Sequence, residues 1–175
     1  MINYSISFCD DFEQIIFLWQ SVFQDSREDI LFFLNNCRSK KCIGAFVDNK
    51  LVSMLFMVDC QYGNLNGKYI YAVSTLQEFR GNGIASSLIE TAKKYMHDFL
   101  WLIPAEKSLI DYYKKFGFQI KLYSFSRYSD KMAFSERDDI VAYLYEGCEL
   151  DEPVGMVLSN TEFHLGDIGL INKES

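Results

Sequence analysis

Residues 78–89 read EFRGNGIASSLI, and this stretch decides how the middle of the chain folds. Gly81 and Gly83 remove Cβ atoms from a turn, and the apolar residues after them recur at the spacing of a helix. The backbone N–H groups at a helix start, together with the positive end of the helix dipole, bind anions such as phosphate. The stretch therefore predicts a glycine turn that opens a helix and binds a phosphate group.

The runs on either side of this stretch predict a mixed α/β fold. Three neighbouring runs rich in β-forming residues predict an antiparallel meander, with its first turn at Asn49-Lys50. Ser26, with Asp29 three residues later, predicts the start of the second helix. A short apolar strand after the glycine-opened helix predicts a parallel crossover. The predicted elements are a strand at 2–8, helices at 10–23 and 26–37, strands at 42–48, 51–62 and 69–76, a helix at 83–97, a strand at 99–104, a helix at 108–116, a strand at 118–128, a helical stretch within 129–147 and a last strand at 152–159.

Composition predicts one packed domain over residues 1–175. Of these residues 49% are hydrophobic and 2 are proline, which argues against a disordered chain. The 5 cysteines form no C-x-x-C pair and only 2 histidines occur, so we expect no metal site. The apolar run at 15–19 is too short to span a bilayer, and residues 1–12 lack the basic region of a secretion signal. We therefore expect a cytoplasmic protein with reduced thiols and no membrane partner.

The net charge of −7 is unevenly distributed along the chain. Residues 129–175 hold 11 acidic and 3 basic residues, whereas residues 1–128 hold 13 and 14. An acidic protein has no general attraction for nucleic acid, so a DNA or RNA role is disfavoured. The acidic segment at 129–152 either forms a solvated face or favours the approach of a cationic amine.

Three kinds of phosphate-binding loop can be compared with this sequence. GNLNGKY at 63–69 is one residue shorter than a P-loop and ends in tyrosine. Gly81 and Gly83 match the first two glycines of the dinucleotide fingerprint G-x-G-x-x-G, but Ser86 stands in place of the third. The motif also lies in the middle of the chain. Arg80-Gly81-Asn82-Gly83-Ile84-Ala85 instead resembles [Q/R]-x-x-G-x-[G/A], the pyrophosphate loop of the GNAT superfamily of acyl-CoA-dependent N-acetyltransferases. A second block, YYKKFGF at 112–118, resembles the helix end F-Y-x-K-x-G-F that is common in that family.

The resemblance implies an α/β fold whose mostly antiparallel sheet has about seven strands, flanked by helices, with one parallel strand-helix-strand crossover. It also implies the transfer of an acetyl group from acetyl-CoA to a primary amine of a small molecule or peptide, by direct attack in a ternary complex. In this family the loop amides bind the CoA pyrophosphate. The backbone of the preceding strand pairs with the pantetheine arm, and one amide there is aimed at the thioester carbonyl. The residues implied for CoA binding are Val73, Ser74, Thr75, Arg80, Gly81, Asn82, Gly83, Ile84, Ala85 and Ser86.

Tyr113 matches the tyrosine that protonates the departing CoA thiolate in many GNAT members. Tyr113 could instead be an aromatic core residue, and Arg80 could anchor the loop instead of contacting phosphate. The general base is not identified, since the strand before the loop carries no Asp, Glu or His, and Asp59, Glu78 or a chain of water molecules are only guesses. Glu106 stands where many members have an asparagine that touches pantetheine, which leaves that contact in doubt.

The sequence leaves two other functions open. One is a non-catalytic acyl-CoA-binding or protein-interaction module on the same fold, and the other is a nicotinamide-dependent oxidoreductase. The aromatic-rich surface allows a homodimer without establishing one, and no motif identifies the acceptor amine. The 2 histidines fit neither block, and the cysteines are expected to be buried apolar residues.

Overall fold

The computed structural model describes residues 2–124, 127–146 and 152–172, without the side chains of 170–172. These residues form nine strands and five α-helices. In chain order they are β1 (Ser5–Phe8), α1 (Phe12–Val22), α2 (Arg27–Asn36), β2 (Lys41–Val47), β3 (Lys50–Tyr62), β4 (Leu65–Thr75), α3 (Ile84–Lys93), β5 (Phe99–Leu102), α4 (Leu109–Lys114), β6 (Gln119–Tyr123), β7 (Lys131–Phe134), α5 (Asp138–Tyr145), β8 (Val154–Ser159) and β9 (Gly166–Asn172). A single 3₁₀ turn, Gln77–Phe79, separates β4 from α3.

The chain divides into two compact units. The first unit comprises Met1–Val58 and Ile70–Tyr95, and the second comprises Asp59–Tyr69 and Met96–Ser175. The long strands β3 and β4 each contribute residues to both units. The prediction that residues 1–175 behave as one domain stays a prediction.

In the first unit, β1, β2 and β3 are antiparallel neighbours, as the sequence predicts for the meander. Helices α1 and α2 bury an aromatic cluster against these strands. The ring centroids of Trp19 and Phe33 lie 5.6 Å apart, and those of Phe33 and Phe56 lie 5.2 Å apart. Tyr71 of β4 joins the cluster, 5.4 Å from Phe33. Such edge and tilted arrangements add to the stabilisation that comes from burying the rings.

In the second unit, the strand order closes on itself. β4 runs parallel to β5, with Gly67 opposite Phe99. From β5 the order continues through β8, β6 and β9 to β7. β7 then pairs with the far end of β3, where Phe134 lies opposite Cys60. Because β3 and β4 are themselves neighbours, the seven strands form a closed ring in which each has two strand partners.

The predicted mixed α/β fold, with a mostly antiparallel sheet flanked by helices, is confirmed, and so is the parallel crossover from β4 through α3 to β5. The predicted number of about seven strands is wrong, because the described residues contain nine. The additional strands are β7 and β9, and β9 makes two further parallel pairings, with β6 and with β7. β7 is only four residues long and β9 contains two glycines, so neither has a strong β pattern of its own. Their positions depend on the strands beside them.

Predicted boundaries also shift. The strand predicted over 69–76 begins at Leu65, and the strand predicted over 118–128 ends at Tyr123. The helix predicted to reach His97 ends at Lys93, where the N–H groups of Lys94 and Tyr95 bond to carbonyls three residues earlier and tighten the last turn. The hairpin turn between β2 and β3 lies at Asp48 and Asn49, one residue before the predicted pair, and both have positive φ angles of 49° and 66°. Asp and Asn tolerate that conformation best after glycine.

None of the helices in the described ranges has both the length and the apolar character needed to cross a bilayer.

Candidate active site

The glycine turn follows β4 and the 3₁₀ turn, within the first unit. Gly81 and Gly83 have φ angles of 80° and 75°, in the left-handed region where a side chain would cost free energy. A Cβ atom built on either glycine would have no other heavy atom within 4 Å. The glycines are therefore required by the backbone conformation and not by close packing, and the surface above the turn is open.

The same turn exposes the start of α3. Gly83 is the N-cap residue and has no side chain with which to accept a hydrogen bond from the first amides of the helix. An anion above the turn can accept those bonds and also meets the positive end of the helix dipole. The phosphate site that the sequence predicts at this turn stays a prediction.

Two side chains hold the turn in place. Arg80 donates a hydrogen bond from Nε to the carbonyl oxygen of Thr75, at 3.1 Å. Asn82 donates from Nδ2 to the carbonyl oxygen of Phe79, at 3.0 Å. Arg80 therefore anchors the loop to the end of β4, which was one of its two predicted roles. Its guanidinium is exposed and has other N–H groups, so phosphate contact remains a prediction.

Packing of its inner face and hydrogen bonds in its first turn fix the position of α3. Ile84, Leu88 and Ile89 are buried on its inner face. The Tyr4 hydroxyl lies 2.6 Å from Ser87 Oγ, and Ser87 Oγ also donates to the Gly83 carbonyl at 3.2 Å. These contacts tie the first turn of the helix to the chain just before β1.

A strained residue lies in β4, directly before the predicted pantetheine contacts. Ala72 has a φ of 55°, a conformation that costs roughly 1–2 kcal/mol for a residue with a Cβ atom. Ser74 Oγ donates to the Ala72 carbonyl at 3.0 Å, and Ser53 Oγ of β3 donates to the Ser74 carbonyl at 3.1 Å. Strain of this kind persists where the surroundings enforce it, and it is common at ligand sites.

The sequence gives no sign of this feature at Ala72. An alanine is compatible with an ordinary strand, and only a glycine at this position would have indicated a positive φ angle. Ser53 and Ser74 are both buried polar residues, at 0% and 2% exposure, and sequence reasoning missed their hydrogen-bonded pairing. Two buried hydroxyls on neighbouring strands were the available signal, since buried polar groups need partners.

Tyr113 lies on α4 in the second unit and is 6% exposed. Its ring contacts Tyr112, with centroids 5.2 Å apart, and Phe118, at 6.1 Å. Burial raises the pKa of the Tyr113 hydroxyl well above its ordinary value, and neighbouring Tyr112 adds to the shift. The phenol is therefore protonated at neutral pH, and the raised pKa makes it a weaker acid than an exposed tyrosine. Gly117, with a φ of 100°, ends the helix region as predicted.

Asp59 and Glu78, the two carboxylates considered as general bases, have different surroundings. Asp59 forms an ion pair with Lys68, whose Nζ lies 2.6 Å from Asp59 Oδ1. Glu78 lies in the 3₁₀ turn and is exposed. Glu106, the residue in place of the asparagine, is exposed before α4. Burial raises the pKa of the Cys60 thiol, which fits its expected role as a core residue.

A family model described as an acetyltransferase (GNAT) domain matches residues 8–121. The match covers more than half of the 175 residues and includes both the glycine turn and Tyr113. This chain belongs to the GNAT acetyltransferase family. No curated protein gives a significant match.

Solved structures show the same GNAT fold at low sequence identity. A GNAT family acetyltransferase from Elizabethkingia anophelis with acetyl-CoA bound has a TM-score of 0.61 and 15% identity, covering 90% of this chain and 98% of that one. The Bacillus subtilis acetyltransferase in complex with CoA has a TM-score of 0.60 and 14% identity, covering 91% and 100%. A probable N-acyltransferase from Enterococcus faecalis has a TM-score of 0.55 and 15% identity, covering 69% and 33%.

Several of the similar solved chains are much longer than this one. The chain spans 33% of the Enterococcus protein, 45% of an acetyltransferase structure from Pyrococcus horikoshii and 17% of a fungal multi-domain β-N-acetylglucosaminidase. At identities of 14% to 18%, these three structures share the fold with this chain and identify no substrate for it.

Proposed function

We propose that this GNAT chain transfers an acetyl group from acetyl-CoA to a primary amine of a small molecule or peptide, by direct attack of the amine in a ternary complex. The observation that carries the proposal is the glycine turn at the start of α3. Gly81 and Gly83 keep left-handed φ angles with open space above them, and they present helix amides that a diphosphate would satisfy. The donors and the space both fit the pyrophosphate of CoA.

The backbone of β4 provides the second part of the proposed acetyl-CoA site. The N–H of Leu76 bonds to Val52 and the carbonyl of Ser74 accepts from Ser53, so the backbone groups of these alternate residues point toward β3. Because backbone direction alternates along a strand, those of Val73 and Thr75 point away from β3. This direction supports pantetheine contacts at Val73 and Thr75, with Ser74 positioning them through its side-chain bond to Ala72.

The chemistry then divides between the substrate and the chain. Acetyl-CoA supplies the activated acetyl thioester. The amides of residues 81–86 bind its pyrophosphate, and the strained backbone at Ala72 turns the next amide of β4 out of the regular strand direction. Tyr113 is the proposed donor of the proton that the departing sulfur requires, and its buried phenol carries that proton at neutral pH. The acidic segment at 129–152 favours a cationic acceptor over an acidic peptide.

Binding of acetyl-CoA by isothermal calorimetry tests the proposal, with NAD as the control ligand. Gly83→Asp puts a side chain and a negative charge where the pyrophosphate would lie, and we expect it to abolish micromolar binding. Gly63→Asp is the matched control, because Gly63 also has a positive φ, of 59°, and open space around it. Both variants therefore bear similar backbone strain, and only the first changes the proposed site.

We expect the parent protein and Gly63→Asp to bind acetyl-CoA alike, and neither to bind NAD. If the intact protein fails to bind acetyl-CoA, the glycine turn is only a tight connection into a core helix. If Gly63→Asp loses binding as fully as Gly83→Asp, the effect comes from strain and the assignment of the loop is wrong.

A non-catalytic acyl-CoA-binding module is the second candidate. It is favoured by one observation, that residues 69–75 of β4 contain no Asp, Glu or His to act as a base. The two candidates differ in turnover, because only the enzyme consumes acetyl-CoA when primary amines are added. Binding of acetyl-CoA without thiol release across a broad panel of amines would favour the module.

A further inference from the structure

Two cysteines in the first unit face each other across neighbouring strands. Cys9 directly follows β1, and Cys42 is the second residue of β2. The antiparallel register places Phe8 opposite Ile43, and the N–H of Cys9 bonds to the Cys42 carbonyl at 3.0 Å, so the register continues to this pair. Opposed residues in an antiparallel pair have Cα atoms about 4.5–5.5 Å apart, within the roughly 4.4–6.8 Å that a disulfide spans.

The two thiols also contact each other through their side chains. Both cysteines are free, and a hydrogen bond joins the Cys42 thiol to the Cys9 sulfur. Cys9 is 8% exposed and Cys42 is 4% exposed. A disulfide between them therefore needs no change in strand pairing.

A cavity gives small molecules access to this pair. It has a volume of about 350 Å³ and is partly open to solvent. Cys9 and Cys42 line it together with apolar side chains, two lysines, Lys40 and Lys41, and one carboxylate, Asp10. This volume lies at the lower end of the range for small-molecule sites, about 300–1,000 Å³. A low-molecular-weight thiol compound fits this volume better than a large protein partner does. The two lysines and one carboxylate leave the lining with a net positive charge, which favours an anionic compound.

We propose that Cys9 and Cys42 form a reversible disulfide by exchange with a low-molecular-weight disulfide that enters this cavity. The Cys9 thiolate attacks one sulfur of the incoming disulfide, forms a mixed disulfide and releases the first thiolate. The Cys42 thiol then loses its proton and attacks Cys9 Sγ, which releases the second thiolate. The two cysteines together lose two electrons and two protons, and the small disulfide is reduced to two thiols.

The surroundings give the two cysteines different roles. The hydrogen bond from Cys42 is the largest influence on Cys9 and, with the backbone amide of Asp11, lowers the pKa of Cys9 to about 7, against the opposing effects of burial and of the Asp10 and Asp11 carboxylates. Contact with Cys9 and burial raise the pKa of Cys42. Cys9 is therefore the attacking thiol, and Cys42 is the thiol that resolves the mixed disulfide.

The exchange can be tested in a glutathione redox buffer, with trapping of free thiols and peptide mass mapping. The protein carries Cys148→Ser throughout, because Cys148 lies outside the described residues and could react independently. In the variant with Cys9 and Cys42 intact, we expect one disulfide that joins their two peptides. Adding Cys42→Ser should stop the reaction at a glutathione adduct on Cys9, and adding Cys9→Ser should prevent both products.

Cys37→Ser is the matched control, because Cys37 is also buried and forms no disulfide but lies at the end of α2. It should form the Cys9–Cys42 disulfide at the unaltered rate. The proposal is overturned if both thiols stay reduced in oxidised glutathione, or if the adduct in the Cys42→Ser variant maps to another cysteine. The peptide mass map of the variant that keeps both thiols tests the proposed disulfide even if a serine variant fails to fold. The outcome does not depend on acetyl-CoA binding.

Discussion

At the scale of single residues, the surroundings of Tyr113 and Cys9 shift their pKa values in opposite directions. Tyr113 is held in its neutral form by burial, whereas Cys9 is moved toward its ionised form by a hydrogen bond from Cys42. The second environment favours a nucleophilic thiolate at Cys9, whereas the first makes Tyr113 a weaker acid than an exposed phenol.

Replacing Tyr113 by phenylalanine removes the hydroxyl and keeps the ring contacts with Tyr112 and Phe118. If the phenol donates the proton, kcat should fall about 10²-fold or more while the Kd for acetyl-CoA changes little. Steady-state kinetics and calorimetry measure the two quantities. Tyr112→Phe, which removes a hydroxyl one residue away on the same helix, is the control and should keep kcat. An unchanged kcat in Tyr113→Phe would mean that the tyrosine is only a core residue.

The reactivity of Cys9 should follow pH in a defined direction. Its thiolate fraction rises as pH increases, so the rate of alkylation by iodoacetamide should rise with a midpoint near the pKa of about 7. Cys42→Ala removes the hydrogen bond that lowers this pKa, and burial with the Asp10 and Asp11 carboxylates then dominates. The midpoint should therefore move upward in that variant. Rates that are independent of Cys42 would show that the two thiols do not interact.

At the scale of secondary structure elements, β4 contains a strained residue at the point where its role changes. Residues 67–69 pair with β5, and Ala72 adopts a left-handed conformation just beyond them. Its strain is held by Ser74, whose hydroxyl bonds to the Ala72 carbonyl. We infer that this strain lowers the stability of the fold, and that it turns a backbone group of β4 toward the acetyl-CoA of the proposed function.

Ala72→Gly should relieve this strain. Glycine removes a cost of roughly 1–2 kcal/mol at a positive φ angle and adds about 0.5–1 kcal/mol of chain entropy, so the free energy of unfolding should stay equal or rise slightly. Ala45→Gly is the control in β2, where Ala45 is fully buried, and it should lower that free energy by about 1 kcal/mol. Chemical denaturation measures both. Equal losses in the two variants would show that Ala72 carries no strain.

The sequence predicted those parts of the elements that depend on local chemistry. Ser26 caps α2 by accepting from the Asp29 amide at 3.1 Å, as its spacing predicts. The glycine turn and the left-handed conformation of Gly117 after α4 were likewise predictable, since only glycine adopts these φ angles without strain. The conformation of Ala72 and the strands β7 and β9 were not, because distant partners impose them on ordinary residue types. For the same reason, the acceptor amine has no local signature.

At the scale of the whole molecule, each compact unit contains one tryptophan. Trp19 lies in the first unit and Trp101 in the second, and both are buried. Since β3 and β4 belong to both units, we propose that the chain unfolds as a single cooperative domain, as its sequence predicts.

Fluorescence of two single-tryptophan variants tests this cooperativity. In Trp19→Phe the remaining signal reports on the second unit, and in Trp101→Phe it reports on the first. Within each variant, the denaturation midpoint from fluorescence should coincide with the midpoint from far-ultraviolet circular dichroism. Comparing two probes in one protein controls for the stability that each substitution removes. Separate midpoints would show two domains that unfold independently.

The closed order of strands in the second unit also constrains how the protein can be made. The end of β3 pairs with β7, about 70 positions later in the sequence, and β7 in turn pairs with β9. When the ribosome has synthesised the chain through residue 121, where the family match ends, β7, β8 and β9 have not yet been made. At that stage one edge of β3 and one edge of β5 are unpaired. Unpaired strand edges in a nascent chain tend to pair with other molecules. The segment that matches the family model therefore lacks strands that complete the sheet in this chain.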